Sequence, residues 1–283
     1  MKRVALINDL SGFGKCSLAA AIPVISVMGL QACPLPTAIL SAQTGFDSYF
    51  LDDYTDKMNR ITDEWSRMDV TFDGIFSGYL AGERQIENVL YFLSHFYTPQ
   101  TIYLADPVMG DNGRCMKAFS QELLQSMKEL TKQADVITPN LTELCLLSGV
   151  DYETLVSHSG EGDYASRIAE VAQKLAAQAS RPQTVITTGI VFRRGETEHI
   201  GNLLVLPSDT RFYDKPYNGK SFSGTGDLFA SVVIGSLVRG DSAQIAVSRA
   251  TEFLQPAIEE ASAKKIPRDH GIEFEKYLKN IAV

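Results

Sequence analysis

Late in the chain stands Ser221-Phe222-Ser223-Gly224-Thr225-Gly226-Asp227-Leu228-Phe229-Ala230. Two glycines flank a threonine and an aspartate follows, after which Leu228, Val232, Val233 and Leu237 take up helical spacing. Glycines just before a helix let backbone N–H groups converge at the positive end of its dipole, which makes a seat for an anion. A carboxylate there is repelled by bound phosphate, so Asp227 calls for a reason. Taking a proton from an alcohol is one. Capping the helix is the plainer one.

Asp106 and Glu143 are the second chemical signal. Both are acidic, each follows a different expected strand, and neither has a basic neighbour in sequence. Mg²⁺ prefers oxygen ligands and is usually held by one or two carboxylates plus substrate phosphates. Locally, Asp106 could simply open a turn before Pro107, and Glu143 could sit in the first turn of a helix.

These residues need a scaffold, and apolar periodicity supplies one. Val4-Ala5-Leu6-Ile7, Ala38-Ile39-Leu40, Gly74-Ile75-Phe76-Ser77, Thr101 to Ala105, Val136-Ile137-Thr138, Val185-Ile186-Thr187 and Asn202 to Leu206 read as strands. Helices are expected over residues 17–28, 53–68, 83–96, 119–131, 141–147, 163–179, 242–260 and 272–280, with a further one beginning after the glycine motif. Strands alternating with helices indicate an α/β fold with a mostly parallel sheet covered on both faces. With no linker or repeat, a single domain spanning 1–283 is expected. In such sheets ligands bind beyond the carboxyl ends of strands. Asp9, Thr44, Tyr79, Asp106, Asn140 with Glu143, and Thr187 with Gly189 all fall there, which suggests a polar cleft. The 111–114 and 157–162 stretches are candidate lids.

Composition narrows the function. The 283 residues are 45% hydrophobic and carry a net charge of −8, with no Lys/Arg cluster, which argues against a general nucleic-acid binder. No apolar run approaches a membrane span, and Met1-Lys2-Arg3 followed by Val4 reads as a first strand rather than a leader. Cys16, Cys33, Cys115 and Cys145 are scattered without metal-like spacing, as in a reduced cytoplasmic protein. Gly14-Lys15-Cys16-Ser17 fails as a P-loop, because Asp9 and Cys16 stand where that motif wants Gly and Ser/Thr. No Gly-x-Gly-x-x-Gly follows the first strand, so a dinucleotide-dependent oxidoreductase is poorly supported.

Gly224-Thr225-Gly226-Asp227 resembles the signature of the ribokinase superfamily. Asp106-Pro107-Val108-Met109-Gly110-Asp111 and Thr138-Pro139-Asn140-Leu141-Thr142-Glu143 resemble two motifs of its pyridoxal kinase branch. Ser41-Ala42-Gln43-Thr44-Gly45-Phe46 and Ser77-Gly78-Tyr79 fall in the same family order. The resemblance implies a ribokinase-like fold and a kinase that phosphorylates the 5′-hydroxymethyl group of pyridoxal, pyridoxine or pyridoxamine. The implied co-substrate is ATP with Mg²⁺, a monovalent cation is a further candidate, and a homodimer is suggested.

By that resemblance Asp227 is the base and the backbone of Gly224, Thr225 and Gly226 forms the anion hole. Asp106 and Glu143 would organise Mg²⁺, mostly through water. Thr138, Asn140, Thr187 and Thr225 would line the ATP phosphates, and Thr44 and Tyr79 would face the substrate ring. One stretch departs. Asn8-Asp9-Leu10-Ser11-Gly12-Phe13-Gly14 looks more like the corresponding turn of hydroxymethylpyrimidine kinases of thiamine synthesis. Either Asp9 or Ser11 could then contact the substrate. Two alternatives follow: a hydroxymethylpyrimidine (phosphate) kinase, and a non-catalytic vitamin B6 binder.

Overall fold

The computed structural model describes residues 1–116 and 119–283. The chain forms two compact units, one of Met1–Leu104 with Lys220–Val283 and one of Ala105–Gly219. The first begins with β1 (Arg3–Ser11), α1 (Ser17–Val27), β2 (Gln31–Leu40) and β3 (Leu51–Asp53). It continues with α2 (Thr55–Arg67), β4 (Gly74–Ser77), α3 (Glu83–Phe96) and β5 (Ile102–Ala105), whose last residue opens the second unit. Val4, Ala5, Leu6 and Ile7 are fully buried, as an unbroken apolar run requires of a strand covered on both faces. β1 pairs in parallel with β2 on one side and β4 on the other, while the short β3 runs antiparallel at the edge.

The second unit contains a small hairpin, β6 (Gly110–Asp111) and β7 (Arg114–Cys115), followed by α4 (Gln121–Thr131) and β8 (Val136–Ile137). Three helices follow: α5 (Leu141–Ser148), α6 (Tyr152–Val156) and α7 (Tyr164–Ala176). It closes with β9 (Thr184–Arg194), β10 (Thr197–Val205) and β11 (Thr210–Pro216). β8 and β9 are parallel, and β9, β10 and β11 form an antiparallel meander. The chain then returns to the first unit with α8 (Thr225–Arg239) and α9 (Ala243–Ala263). α8 is almost wholly buried, and Gly235 lets it approach Met28 at the end of α1. Among the described residues no helix is long and apolar enough to cross a membrane.

The architecture is the expected α/β fold with a mostly parallel strand arrangement. Several details differ. The 272–280 helix is absent, and two 3₁₀ segments, Arg268–His270 and Glu275–Asn280, stand in that region. Gly271 takes a left-handed φ of 73°, and Ile272 and Phe274 both turn inward, so no single helical face develops. β9 extends well past Thr187, beyond the break suggested by Gly189. β11 was not expected, because Arg211, Asp214 and Lys215 mask its pattern at an exposed edge. Asp53 belongs to β3, and its carboxylate accepts from the Thr55 N–H at 2.7 Å just as α2 begins.

Candidate active site

In the first unit the site grows from the entry to α8. Gly224 occupies the N-cap position with φ of 81°, a left-handed conformation that glycine adopts without steric cost. A side chain there would also run into the Lys15 carbonyl and Cys16 Cα. The residue must therefore be glycine for two independent reasons. Thr225 is the first helical residue, its Oγ1 donates to the Phe222 carbonyl at 3.0 Å, and no N-cap side chain accepts from the helix-entry N–H groups.

Asp227 does not cap α8. The N-cap is Gly224, and no side chain accepts there. The Asp227 carboxylate is turned towards β1 and α1: Oδ1 accepts from Asn8 Nδ2 at 3.0 Å, and the Ser17 N–H also donates to the carboxylate. Burial pushes its pKa up to about 6, the charge of Asp9 adds to the rise, and the Ser17 and Asn8 donors oppose it. A carboxyl group poised there can accept and release a proton near neutral pH.

Asp9 and Ser11 stand together behind it. Asp9 Oδ2 accepts from Ser11 Oγ at 2.8 Å and Oδ1 from Ser17 Oγ at 2.7 Å. Burial raises the Asp9 pKa while the two serine hydroxyls hold it down. Tyr79, half-buried after β4, has its phenol pushed up mainly by burial and next by the charge of Asp9. Thr44 lies on an exposed loop. The neighbouring Gln43 ties that loop to the motif, with Nε2 donating to Ser223 Oγ at 3.4 Å and to the Asp269 carbonyl at 3.1 Å.

The second unit gathers the other candidates. Asp106 directly follows β5, and its Oδ1 accepts from Thr138 Oγ1 at 2.8 Å. Glu143 is buried in the first turn of α5, where Oε1 accepts from the Met109 N–H at 3.1 Å and Oε2 from the Asn140 N–H at 2.9 Å. Asn140 replies through Oδ1, which accepts from the Glu143 N–H at 3.0 Å, so the two residues form a capping box. Asn140 Nδ2 donates to the Gly110 carbonyl at 2.8 Å. Burial first and Asp106 second hold the Glu143 carboxyl well above the usual range, against three backbone donors.

Capping thus explains where Glu143 stands but not why a second carboxylate faces it. A divalent cation would relieve that repulsion. Both Glu143 oxygens already hold N–H groups, so the donor set suits Mg²⁺ contacted through water, with substrate oxygens completing the shell. Thr187 is fully buried, and its Oγ1 has no hydrogen-bond partner among the described residues. A buried hydroxyl is normally satisfied, so an orphan at the end of the parallel part of β9 fits a ligand acceptor.

Relatives decide the family. The sequence model of the phosphomethylpyrimidine kinases matches residues 14–272. The chain belongs to that family. Pyridoxal kinase PdxY of Deinococcus radiodurans is 25% identical over 259 residues, covering 87% of this chain and 83% of the relative. A phosphomethylpyrimidine kinase-like protein of Bacteroides thetaiotaomicron, crystallised with pyridoxal, is 38% identical with a TM-score of 0.89, covering 99% of this chain and 95% of that one. Pyridoxal kinase of Lactobacillus plantarum is 26% identical with a TM-score of 0.87, covering 99% and 96%. The fold is therefore ribokinase-like and the protein is a phosphotransferase.

Sequence reasoning missed Asn8 and Ser17. Asn8 lies within β1, which runs to Ser11 past the expected strand Val4–Ile7; it is 1% exposed and joins Asp227 to the turn that carries Tyr79. Ser17, at the start of α1, gives its N–H to Asp227 and its Oγ to Asp9.

Proposed function

We propose that this protein is a vitamin B6 kinase, a single functional domain over 1–283 that transfers the γ-phosphoryl group of ATP to the 5′-hydroxymethyl group of pyridoxal, pyridoxine or pyridoxamine. The observation that carries the chemistry is Asp227, held by Asn8 and Ser17 in the first turn of a helix whose entry is a left-handed glycine. The names of the relatives and the pyridoxal in the Bacteroides crystal support the substrate.

A primary alcohol is a poor nucleophile at neutral pH. Asp227 would accept its proton as the new O–P bond forms, so the hydroxyl proton ends on Oδ1 or Oδ2. The N–H groups at Gly224, Thr225 and Gly226 would stabilise charge on the transferred phosphoryl group, typically worth a few kcal/mol at the transition state. Asp106 and Glu143 are assigned to Mg²⁺ through water, and the cation when bound neutralises phosphate charge. Thr138 and Asn140 are assigned to shaping the phosphate site rather than touching phosphate, since Thr138 Oγ1 donates to Asp106 and the Asn140 side chain is spent on the α5 cap. Thr187 Oγ1 is the better donor to phosphate. Tyr79 and Thr44 are assigned to the ring, and Asp9 with Ser11 to its polar edge. Homodimer formation and a cytoplasmic location belong to the same reading.

A panel of vitamin B6 compounds and hydroxymethylpyrimidine with MgATP, assayed for ADP release, tests the proposal. Turnover of the B6 compounds supports it. Exclusive turnover of hydroxymethylpyrimidine would move the chain to thiamine synthesis, the reading that the Asn8–Gly14 turn favours. Binding of pyridoxal without ADP release would make it a binder.

A further inference from the structure

Asn8 spends its whole side chain on two tasks. Its Oδ1 accepts from the Asp9 N–H at 2.9 Å and from the Tyr79 N–H at 3.0 Å. With both lone-pair directions of Oδ1 taken by backbone donors, the amide cannot be flipped, and Nδ2 must face Asp227 at 3.0 Å. Close packing fixes it further: Gly78 lies directly against this amide, and any side chain at 78 would overlap Asn8 Nδ2. A buried amide whose donor and acceptor ends serve different elements transmits position between them, because displacing one end leaves a polar atom unpaired at the other.

We infer that Asn8 is a positioning residue for the phosphoryl-transfer step, its donor end orienting the Asp227 carboxylate and its acceptor end fixing the Gly78-Tyr79 turn that would face the substrate ring. The inference rests on the proposed kinase reading for its catalytic consequence, although the hydrogen bonds do not. The donor end also biases protonation. An N–H pointing at Oδ1 favours the ionised form that a base requires, against the burial that disfavours it. The groups facing Asp227 from the packed elements are Asp9 on β1, the Cys16 thiol and Ser17 N–H at the start of α1, and the N–H groups of α8 itself. Asp9 opposes ionisation of Asp227. Asn8 and Ser17 are therefore the outside donors that favour it.

Asn8→Asp separates the two ends. The replacement keeps an acceptor for the Asp9 and Tyr79 N–H groups but puts an oxygen where Asp227 had a donor. The expected result is a KM for the B6 substrate changed by less than about threefold. The acid limb of kcat should move up by about two pH units, with a loss of ~10-fold at pH 7 that is largely regained at pH 9. An unmoved pH profile would overturn the donor role. Asn8→Ala, lacking both ends, should raise KM as well, and an unchanged KM would overturn the acceptor role.

A measurement on the unmodified protein guards against variants that fail to fold and against failure of the kinase reading. The side-chain amide ¹H and ¹⁵N shifts of Asn8, followed by NMR across pH 4 to 8, should inflect with the same midpoint as the Asp227 carboxyl ¹³C signal. Absence of that shared inflection overturns the inference whatever reaction the protein catalyses. A shared inflection in a protein that phosphorylates no B6 compound would leave Asn8 in place and reject the substrate.

Discussion

The two acidic centres of this chain are built in opposite ways. Asp227 in the first unit is held by a side-chain amide and a backbone N–H from elsewhere in the fold, and burial brings it to a pKa of about 6. Glu143 in the second unit is held by N–H groups from Met109, Gly110 and Asn140 and faces another carboxylate, Asp106. The first arrangement gives a carboxyl group whose pKa is raised towards neutral pH, as the proposed base requires. The second makes one that is fixed in place and short of positive charge. On the proposed reading the first is the proton acceptor and the second the cation holder, and the partners around each carboxyl group set the difference.

The largest way to break this contrast is Asp227→Ala. It should lower kcat by at least ~10²-fold while leaving ATP affinity nearly unchanged, as removal of a general base does. Steady-state kinetics alongside an ATP-binding titration checks both halves, and normal turnover would end the assignment.

Next is Glu143→Gln, which keeps the shape and removes the charge. The Mg²⁺ concentration for half-maximal rate should rise by roughly 10–100-fold, the scale of a lost outer contact to a metal. A Mg²⁺ titration of the rate measures it, and an unchanged midpoint would leave Glu143 as a helix cap and nothing more.

The pH dependence of activity comes third. A base with its pKa near 6 must be ionised to work, so kcat should fall about tenfold per pH unit once pH drops below that value. A profile flat down to pH 5 would contradict the proton-acceptor half of the contrast.

The smallest effect is on stability, and its sign is opposite to that of activity. Burial raises the folded-state pKa of Asp227 above its ordinary value, so the native state binds this proton more tightly than the unfolded chain. That contribution is complete below pH 4 and is lost as pH rises through about 6. Asp227→Asn should therefore melt ~2–6 °C above the parent at pH 8, with the gap closing towards pH 4, given ~1.4 kcal/mol per pKa unit as a ceiling. Thermal melts at the two pH values decide it.

Much of this was legible in the chain, and what escaped has identifiable causes. Val4–Ile7 and Gly74–Ser77 announce buried parallel strands by unbroken apolar runs, and Gly224-Thr225-Gly226-Asp227 announces a helix entry with an odd carboxylate. β11 escaped because its exposed edge position tolerates Arg211, Asp214 and Lys215, which hide the alternation. The tail escaped because 3₁₀ turns leave no 3.6-residue period to detect. Asn8 escaped for a different reason. Its partners are 71 and 219 residues away, and no local pattern can reveal a hydrogen bond of that reach. The spacing allowed Glu143 a place in the first turn of a helix, but neither its box with Asn140 nor its hold on the Met109 N–H was read from it.

The contact between Asn8 and Asp227 also bears on how the protein comes into being. The first unit is discontinuous in sequence, since its opening strand and α8 are separated by the whole of Ala105–Gly219. During synthesis the inserted unit is complete while the first still lacks Lys220–Val283, so Asn8 has no carboxylate to meet. Domains that emerge whole can fold as they appear, whereas pairings of long sequence separation must wait for the later partner. The Asn8–Asp227 hydrogen bond is consequently among the last contacts that the first unit can form, since residue 227 is made only after the whole of Ala105–Gly219.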